Sequence, residues 1–221
     1  AAAAASSGND ESLTPSQCIF SGRFAMMWFI FFCNITAGIM FIGFQSPLIQ
    51  DLYKAADPAM DAAALAAAGG TLIAISSLFN GVGRFFWGGL SDKIGRIQAF
   101  RLILGTQIVV FLLMTQVSSP VLFGVLVCYV LLCYGGGFGT APSFVLTVFG
   151  SKVMGVVYGV LLTAWAMAGL AGPQIAALVK DSLKDDPAKA ANTIFLIGAG
   201  FLVAGVLVSL LLSNKPYEKK A

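Results

Sequence analysis

Long stretches without a charged residue are the feature that most constrains the fold of this chain. Residues 24–50 hold 27 uncharged residues, and residues 102–151 hold 50. A helix rises about 1.5 Å per residue and must cross roughly 30 Å of hydrocarbon, so about 20 residues make one span. The first stretch therefore predicts one membrane helix and the second predicts two, with a turn at Ser118-Ser119-Pro120.

The composition excludes several other classes of protein. The chain is 58% hydrophobic and 10% charged, whereas soluble domains are about 25% charged. A net charge of +3 from scattered basic residues does not suit a nucleic-acid-binding protein. Histidine is absent and no nucleophile–base pair or metal-ligand cluster is evident, so we expect no catalytic residues, no metal site and no cofactor. The four cysteines are predicted to be inert buried thiols.

The charge pattern predicts an all-α membrane protein with six transmembrane helices. A leader (1–22) precedes the membrane domain (23–214), and a short tail (215–221) follows it. We expect Pro47 to kink or close the far end of the first span, and Asp57-Pro58 to start the second. The predicted spans are about 24–48, 60–90, 98–117, 120–141, 154–179 and 191–213.

The basic residues predict the orientation in the membrane. An even number of spans puts both termini on one side, and the side richer in Lys and Arg faces the cytoplasm. The terminal side holds eight basic residues and the opposite side four, so we expect both termini in the cytoplasm of a cell inner membrane. These are Arg23, Lys93, Arg96, Arg101, Lys152, Lys215, Lys219 and Lys220 against Lys54, Lys180, Lys184 and Lys189.

A short polar loop follows the second predicted span. Its sequence, Gly88-Gly-Leu-Ser-Asp92-Lys93-Ile-Gly95-Arg96, resembles the G-x-x-x-D-R/K-x-G-R signature of the major facilitator superfamily. That family places the signature on the cytoplasmic side between the second and third helices of a six-helix half. The last basic residue of the usual pattern is Ile97 here.

Other segments narrow the resemblance to the C-terminal half of a monocarboxylate transporter or an oxalate/formate antiporter relative. They are Ile35-Thr-Ala-Gly38, Asn80-Gly-Val-Gly-Arg84 and residues 149–159. The resemblance implies a rocking carrier, with residues 1–22 as the cytoplasmic linker from an N-terminal six-helix half that the chain requires as a partner.

Arg84 is the first candidate for substrate binding, because an arginine inside a membrane span is costly and rare. Its planar fork can hold a carboxylate through two parallel hydrogen bonds, as the resemblance implies, although the side chain could instead snorkel to the interface. Asn80, one turn earlier, can bind a ligand or link helices. Tyr134 can point its hydroxyl into a cavity or lie at the membrane interface, and the glycines after it indicate either a broken helix lining a cavity or close helix packing.

Two further sets of residues complete the candidate machinery. Asp61 is the one acid near a span that we expect to face the pathway, so it is the candidate for proton coupling, or else a simple helix-start charge. Gly88, Asp92, Lys93, Gly95 and Arg96 are predicted to act as a gating loop, and the alternative is a solvated turn that only sets topology.

The fifth predicted span bears on the substrate. Oxalate-type relatives carry a second cation there, whereas Tyr158-Gly-Val-Leu-Leu-Thr-Ala164 is followed by Trp165. The resemblance and the single cation predict a proton-coupled symporter of monocarboxylates such as lactate or pyruvate, acting in the lipid bilayer without nucleic acid and without enzyme activity. The alternatives are an oxalate/formate-type exchanger and a non-transporting membrane subunit on half of a carrier fold.

Overall fold

The computed structural model describes residues 13–217 and folds them into nine helices. Six helical segments are long and apolar enough to cross a membrane, which confirms the predicted all-α, six-span fold. The fifth segment consists of α7 and α8, which meet at Leu162. Residues 1–12 of the predicted leader and residues 218–221 of the predicted tail lie outside the described residues. The helices are α1 (Pro15–Ile19), α2 (Gly22–Ile42), α3 (Gln45–Ala56), α4 (Ala62–Ile94), α5 (Arg96–Met114), α6 (Pro120–Phe149), α7 (Ser151–Leu161), α8 (Thr163–Ser182) and α9 (Pro187–Leu210).

Helix α2 lies at the centre of the bundle, against α6, α8 and α9. Phe31, Ile35 and Phe41 of this helix are almost completely buried. Phe41 packs against Phe111, Phe123 and Phe195 from three other helices. Ring pairs at these separations add to the van der Waals packing that holds membrane helices together. Aromatic rings therefore form much of the packing around Phe41.

The first span is interrupted four residues before Pro47. Helix α2 ends at Ile42 and α3 begins at Gln45, with a turn at residues 43–44. Proline has no N–H to donate to the carbonyl four positions earlier, here that of Gly43, so the ladder of hydrogen bonds is broken at that point. Helix α3 then continues to Ala56, beyond the predicted end of the span at residue 48.

Helix α4 begins later than the Asp57-Pro58 pair suggests. Asp57 accepts a hydrogen bond from the Ala59 N–H at 3.0 Å, and Lys54 Nζ holds the Pro58 carbonyl at 2.7 Å, so these residues form a turn. Asp61 is the N-cap, because its Oδ1 accepts a hydrogen bond from the Ala64 N–H at 2.7 Å. The helix start therefore lies one turn further along the chain.

Glycines let α4 and α6 approach until their backbones touch. A Cβ at Gly83 would overlap the Leu132 carbonyl, one at Gly135 would overlap the Asn80 carbonyl, and one at Gly139 would overlap Arg84. Helix α6 continues without a break through these glycines and through Pro142 to Phe149. Of the two interpretations of the glycine-rich segment, close helix packing is the one observed.

The two ends of the described chain lie at the same end of the bundle. Arg23, at the start of α2, donates hydrogen bonds to the carbonyls of Lys215 and Pro216, which follow α9. Helix α8 ends at Ser182, and the turn to α9 is capped by Asp186, which accepts from the Lys189 N–H at 2.9 Å. An even number of spans produces this arrangement.

Candidate functional site

Arg84 projects from the C-terminal third of α4 with its hydrogen-bond donors free. Within residues 13–217 the guanidinium makes no hydrogen bond and no ion pair, and the side chain is exposed. Its Cζ lies 5.5 Å from the centroid of the Phe138 ring on α6, a distance at which a cation is attracted to an aromatic face. The ring therefore supports the charge while the donors remain available to an anion.

An aromatic cluster from α6 and α8 lies beside this guanidinium. Tyr134 lies one turn before Phe138 on α6, with ring centroids 5.4 Å apart, and it packs over Gly38 of α2. Trp165, on α8, stands edge-on to Phe138, with ring centroids 6.1 Å apart. The structure thus brings Arg84 and Tyr134 together, and Tyr134 lies in the buried interior.

Asn80 lies one turn before Arg84 but faces α6. Its Oδ1 is buried near Gly135 and has no hydrogen-bond partner among the described residues. A buried acceptor without a donor is costly, so this oxygen weakens the contact between α4 and α6 unless a donor reaches it in another conformation. Asn80 thus lies at the contact between the two helices, one turn from Arg84.

Asp61 is not brought near Arg84. The two residues stand 23 positions apart on one helix, which is about 35 Å at 1.5 Å per residue. Asp61 is exposed, and its Oδ1 caps α4. No carboxylate of residues 13–217 contacts the guanidinium, and no group of three or more Cys, Asp or Glu residues there could hold a metal ion.

The predicted gating loop is mostly helical. Helix α4 continues to Ile94, and the turn is the single residue Gly95, with φ +93°. Asp92 forms an ion pair with Arg96, whose Nη1 also donates to Ser91 Oγ at 2.5 Å. Asp92 does not cap α5, because it is still inside α4 and Gly95 precedes the first residue of α5.

Lys93 and Gly88, the remaining residues of the gating loop, lie in different surroundings. The Lys93 side chain is exposed to solvent. Gly88 lies against α6, where a Cβ would be 3.6 Å from the Gly139 carbonyl oxygen. The loop residues are therefore close to one another but a separate site from Arg84, eight residues or about 12 Å of helix from Asp92.

Phe138 and Trp165 are site residues that the sequence reasoning did not select. Phe138 follows Tyr134 by four positions and so shares its helix face, a spacing that would have identified it. Trp165 comes into the site from another helix, so no local pattern reveals its contact with Phe138. The sequence reasoning also did not select a buried polar pair. Gln107 Nε2 donates a hydrogen bond to Asn34 Oδ1 at 2.9 Å and links α5 to α2.

An apolar groove lies on the opposite side of α4. It has a volume of about 700 Å³, opens between α3, α4 and α6, and includes Ile75 and Phe79 but no charged residue. At 100° per residue, Ile75 and Arg84 point in opposite directions from the helix axis. Helix α4 thus has one side suited to an anion and another suited to hydrocarbon.

Comparison with known proteins identifies relatives for most of the chain. Residues 2–173 match the family model described as Major Facilitator Superfamily. The chain is 27% identical over 195 residues to "Oxalate:formate antiporter" of Oxalobacter formigenes, covering 86% of the chain and 42% of that protein. It is 32% identical over 155 residues to "Multidrug resistance protein MdtG" of Serratia proteamaculans (strain 568), covering 68% and 36%. The matched part of the chain spans about two fifths of the length of these curated relatives.

Proposed function

This chain belongs to the Major Facilitator Superfamily, and from that membership we propose that it forms one half of a secondary carrier for small carboxylate anions. It is a multi-pass membrane protein with six apolar spans. The single observation that carries the proposal is Arg84, a fixed positive charge inside a span whose donors are free and whose surroundings are aromatic. A carboxylate supplies the two acceptors that such a fork requires.

We infer that the anion is a monocarboxylate of the lactate or pyruvate type. Among residues 13–217, Arg84 is the cation that lies over the Phe138 ring, so a bound anion with a single charge leaves the complex close to neutral. The aromatic rings suit the short apolar part of such an anion, and the Tyr134 hydroxyl suits a substrate hydroxyl or carbonyl. A dianion would need a second cation from elsewhere.

The partner that we propose is a second six-helix half. Gly81 on α4 and Gly155 and Gly159 on α7 have no described residue within 4 Å of the position of a Cβ. Small residues of this kind allow close approach of another helix. The relatives are longer than the matched segment, which supports a partner of similar size that closes the pathway over Arg84. We place both termini in the cytoplasm of a cell inner membrane.

Proton-coupled symport is the first mode of coupling that we propose, because a proton carried with the anion makes the cycle electroneutral. Moving one charge across a potential costs about 2.3 kcal/mol per 100 mV. Asp61 lies too far from Arg84 to share a proton with bound anion, so the acid would belong to the other half.

The second candidate is anion exchange, and the distance of Asp61 from Arg84 favours it. An exchanger needs only the fixed charge, because the returning anion takes the place of the proton. The name of the Oxalobacter formigenes relative describes an exchange of this kind.

Uptake by membrane vesicles from cells that express the chain together with its partner half tests the proposal. Labelled lactate, pyruvate, formate and oxalate are supplied with or without a pH gradient, and with or without unlabelled anion inside. Symport predicts uptake that follows the pH gradient, and exchange predicts uptake that requires internal anion. Absence of carboxylate uptake above vesicles without the chain would contradict the proposed function.

A further inference from the structure

The segment after α9 contacts three other helices at the end of the bundle that carries the gating loop. We call residues 211–217 the C-terminal strap. It lies against α5 through Asn214, against α2 through Arg23, and against α6 through Tyr217, whose N–H donates to the Val148 carbonyl at 2.7 Å. The Tyr217 ring also packs on Phe149 at 5.7 Å.

Gly95 leaves the first turn of α5 without a cap of its own. With φ +93° the position suits only glycine, and glycine has no side chain that can accept from the free N–H groups of the next helix. Asn214, which lies 117 residues after Ile97, provides the cap instead. Its Oδ1 accepts a hydrogen bond from the Ile97 N–H at 2.9 Å.

The same side chain occupies the space that a Cβ at Gly95 would need. A Cβ there would lie 2.5 Å from Asn214 Nδ2. The amide therefore presses against the turn and caps the helix that leaves it.

Arg101, on α5, caps the end of α9. Its Nη2 donates to the carbonyls of Ser209 at 2.7 Å and Leu212 at 3.2 Å, at the C-terminal end of α9. A cation at that end satisfies free carbonyls and complements the helix dipole. Asn214 of the strap thus caps the start of α5, and Arg101 of α5 caps the end of α9. These polar contacts fix the strap to the helix that follows the gating loop.

We propose that Asn214 is a positioning residue that sets the conformation of the gating loop during transport. The proposal rests on the proposed function in that the loop controls exchange between conformations. The strap holds Gly95 and the start of α5 in place while this half rocks. Asn214 does not contact the Arg84 site, so its loss changes turnover and not anion binding.

Amide hydrogen exchange of the chain, assembled with its partner half in lipid nanodiscs, tests the contact without any transport assay. In Asn214→Ala, exchange of the peptide that covers residues 95–100 is expected to rise roughly fivefold, the effect of losing one helix cap. Asn214→Asp retains the acceptor oxygen and is expected to restore protection. Ser213→Ala, an exposed neighbour, is the matched control and should behave as wild type.

Uptake kinetics in the same variants test the role. Asn214→Ala is expected to reduce kcat for carboxylate uptake severalfold, with KM within about twofold, and Asn214→Asp to recover it. Unchanged amide exchange in Asn214→Ala would overturn the contact. Increased exchange with unchanged kcat would overturn the positioning role. Absence of uptake by the wild type would contradict the proposed function and leave the exchange result to decide the contact.

Discussion

The Phe138 ring stabilises the positive charge of Arg84 from one side. Removing the ring should therefore weaken anion binding while the arginine remains in place. A cation–π contact is worth about 0.5–2 kcal/mol. In Phe138→Leu we expect KM for carboxylate uptake to rise roughly threefold to tenfold. Phe85→Leu is the matched control, because Phe85 is 84% exposed and lies outside this cluster. Equal KM values in the two variants would exclude Phe138 from the site.

Cys18 is a thiol outside the membrane spans that should nevertheless resist modification. It is completely buried, and burial raises the pKa of its thiol above the ordinary value. The reactive thiolate is therefore scarce at neutral pH, and maleimide labelling should be slow and increase with pH. Ser213→Cys, at an exposed position, should label rapidly. Rapid labelling of Cys18 in the folded protein at pH 7 would contradict its burial.

The raised pKa of Cys18 also makes the free energy of unfolding depend on pH. Because the folded state favours the protonated thiol, the contribution of Cys18 to the free energy of unfolding is present below the ordinary thiol pKa. It is lost as the pH rises through the raised value. Cys18→Ala should remove this part of the pH dependence in unfolding measurements at alkaline pH.

At the scale of the elements, the crossing of α4 and α6 depends on glycine. Gly83→Ala would place a Cβ on the Leu132 carbonyl and should lower the free energy of unfolding by about 1–3 kcal/mol. Gly105→Ala, inside α5, meets nothing within 4 Å and should be neutral or stabilising, since alanine favours helix. Thermal unfolding of both variants in the same detergent checks the difference. Equal melting temperatures would mean that the helices are not in backbone contact.

The sequence predicts the helices better than it predicts how they end. Runs of apolar residues reveal each span, because the bilayer imposes one length and one polarity on all of them. Pro142 was expected near the end of its span, yet α6 continues to Phe149 because the glycines beside it pack directly on α4. Pro47 acted as expected, but its effect appears four residues earlier, where the missing hydrogen bond would have been.

The candidate site also contains residues that the sequence reveals and residues that it does not. Arg84 was selected from the sequence because a charge within an apolar span is conspicuous by itself. Trp165 was not, because its place beside Phe138 depends on how α8 packs against α6. Asp61 was selected for its charge, but the helix that holds both residues separates it from Arg84 by its length.

For the whole molecule, six spans predict that the α8–α9 turn and the strap lie on opposite sides of the membrane. Single cysteines at Ser182 and Ser213 should therefore label from opposite sides of intact cells, with Ser213 reached only from the cytoplasm. Both positions are exposed in the structure. Labelling of both from outside would contradict the six-span topology.

The central claim is that Arg84 holds the carboxylate of the substrate. Lysine keeps the charge but cannot offer two parallel donors, so Arg84→Lys should raise KM for labelled lactate at least about tenfold, and Arg84→Ala should abolish uptake. Lys152→Gln removes an exposed charge at the start of α7 and is the matched control for net charge.

Uptake of labelled lactate by Arg84→Ala, measured beside wild type and Lys152→Gln in the same vesicles, is the most direct measurement. We expect uptake by Lys152→Gln to equal that of wild type and uptake by Arg84→Ala to fall to the level of vesicles without the chain. Uptake by Arg84→Ala at the wild-type rate and KM would contradict the claim.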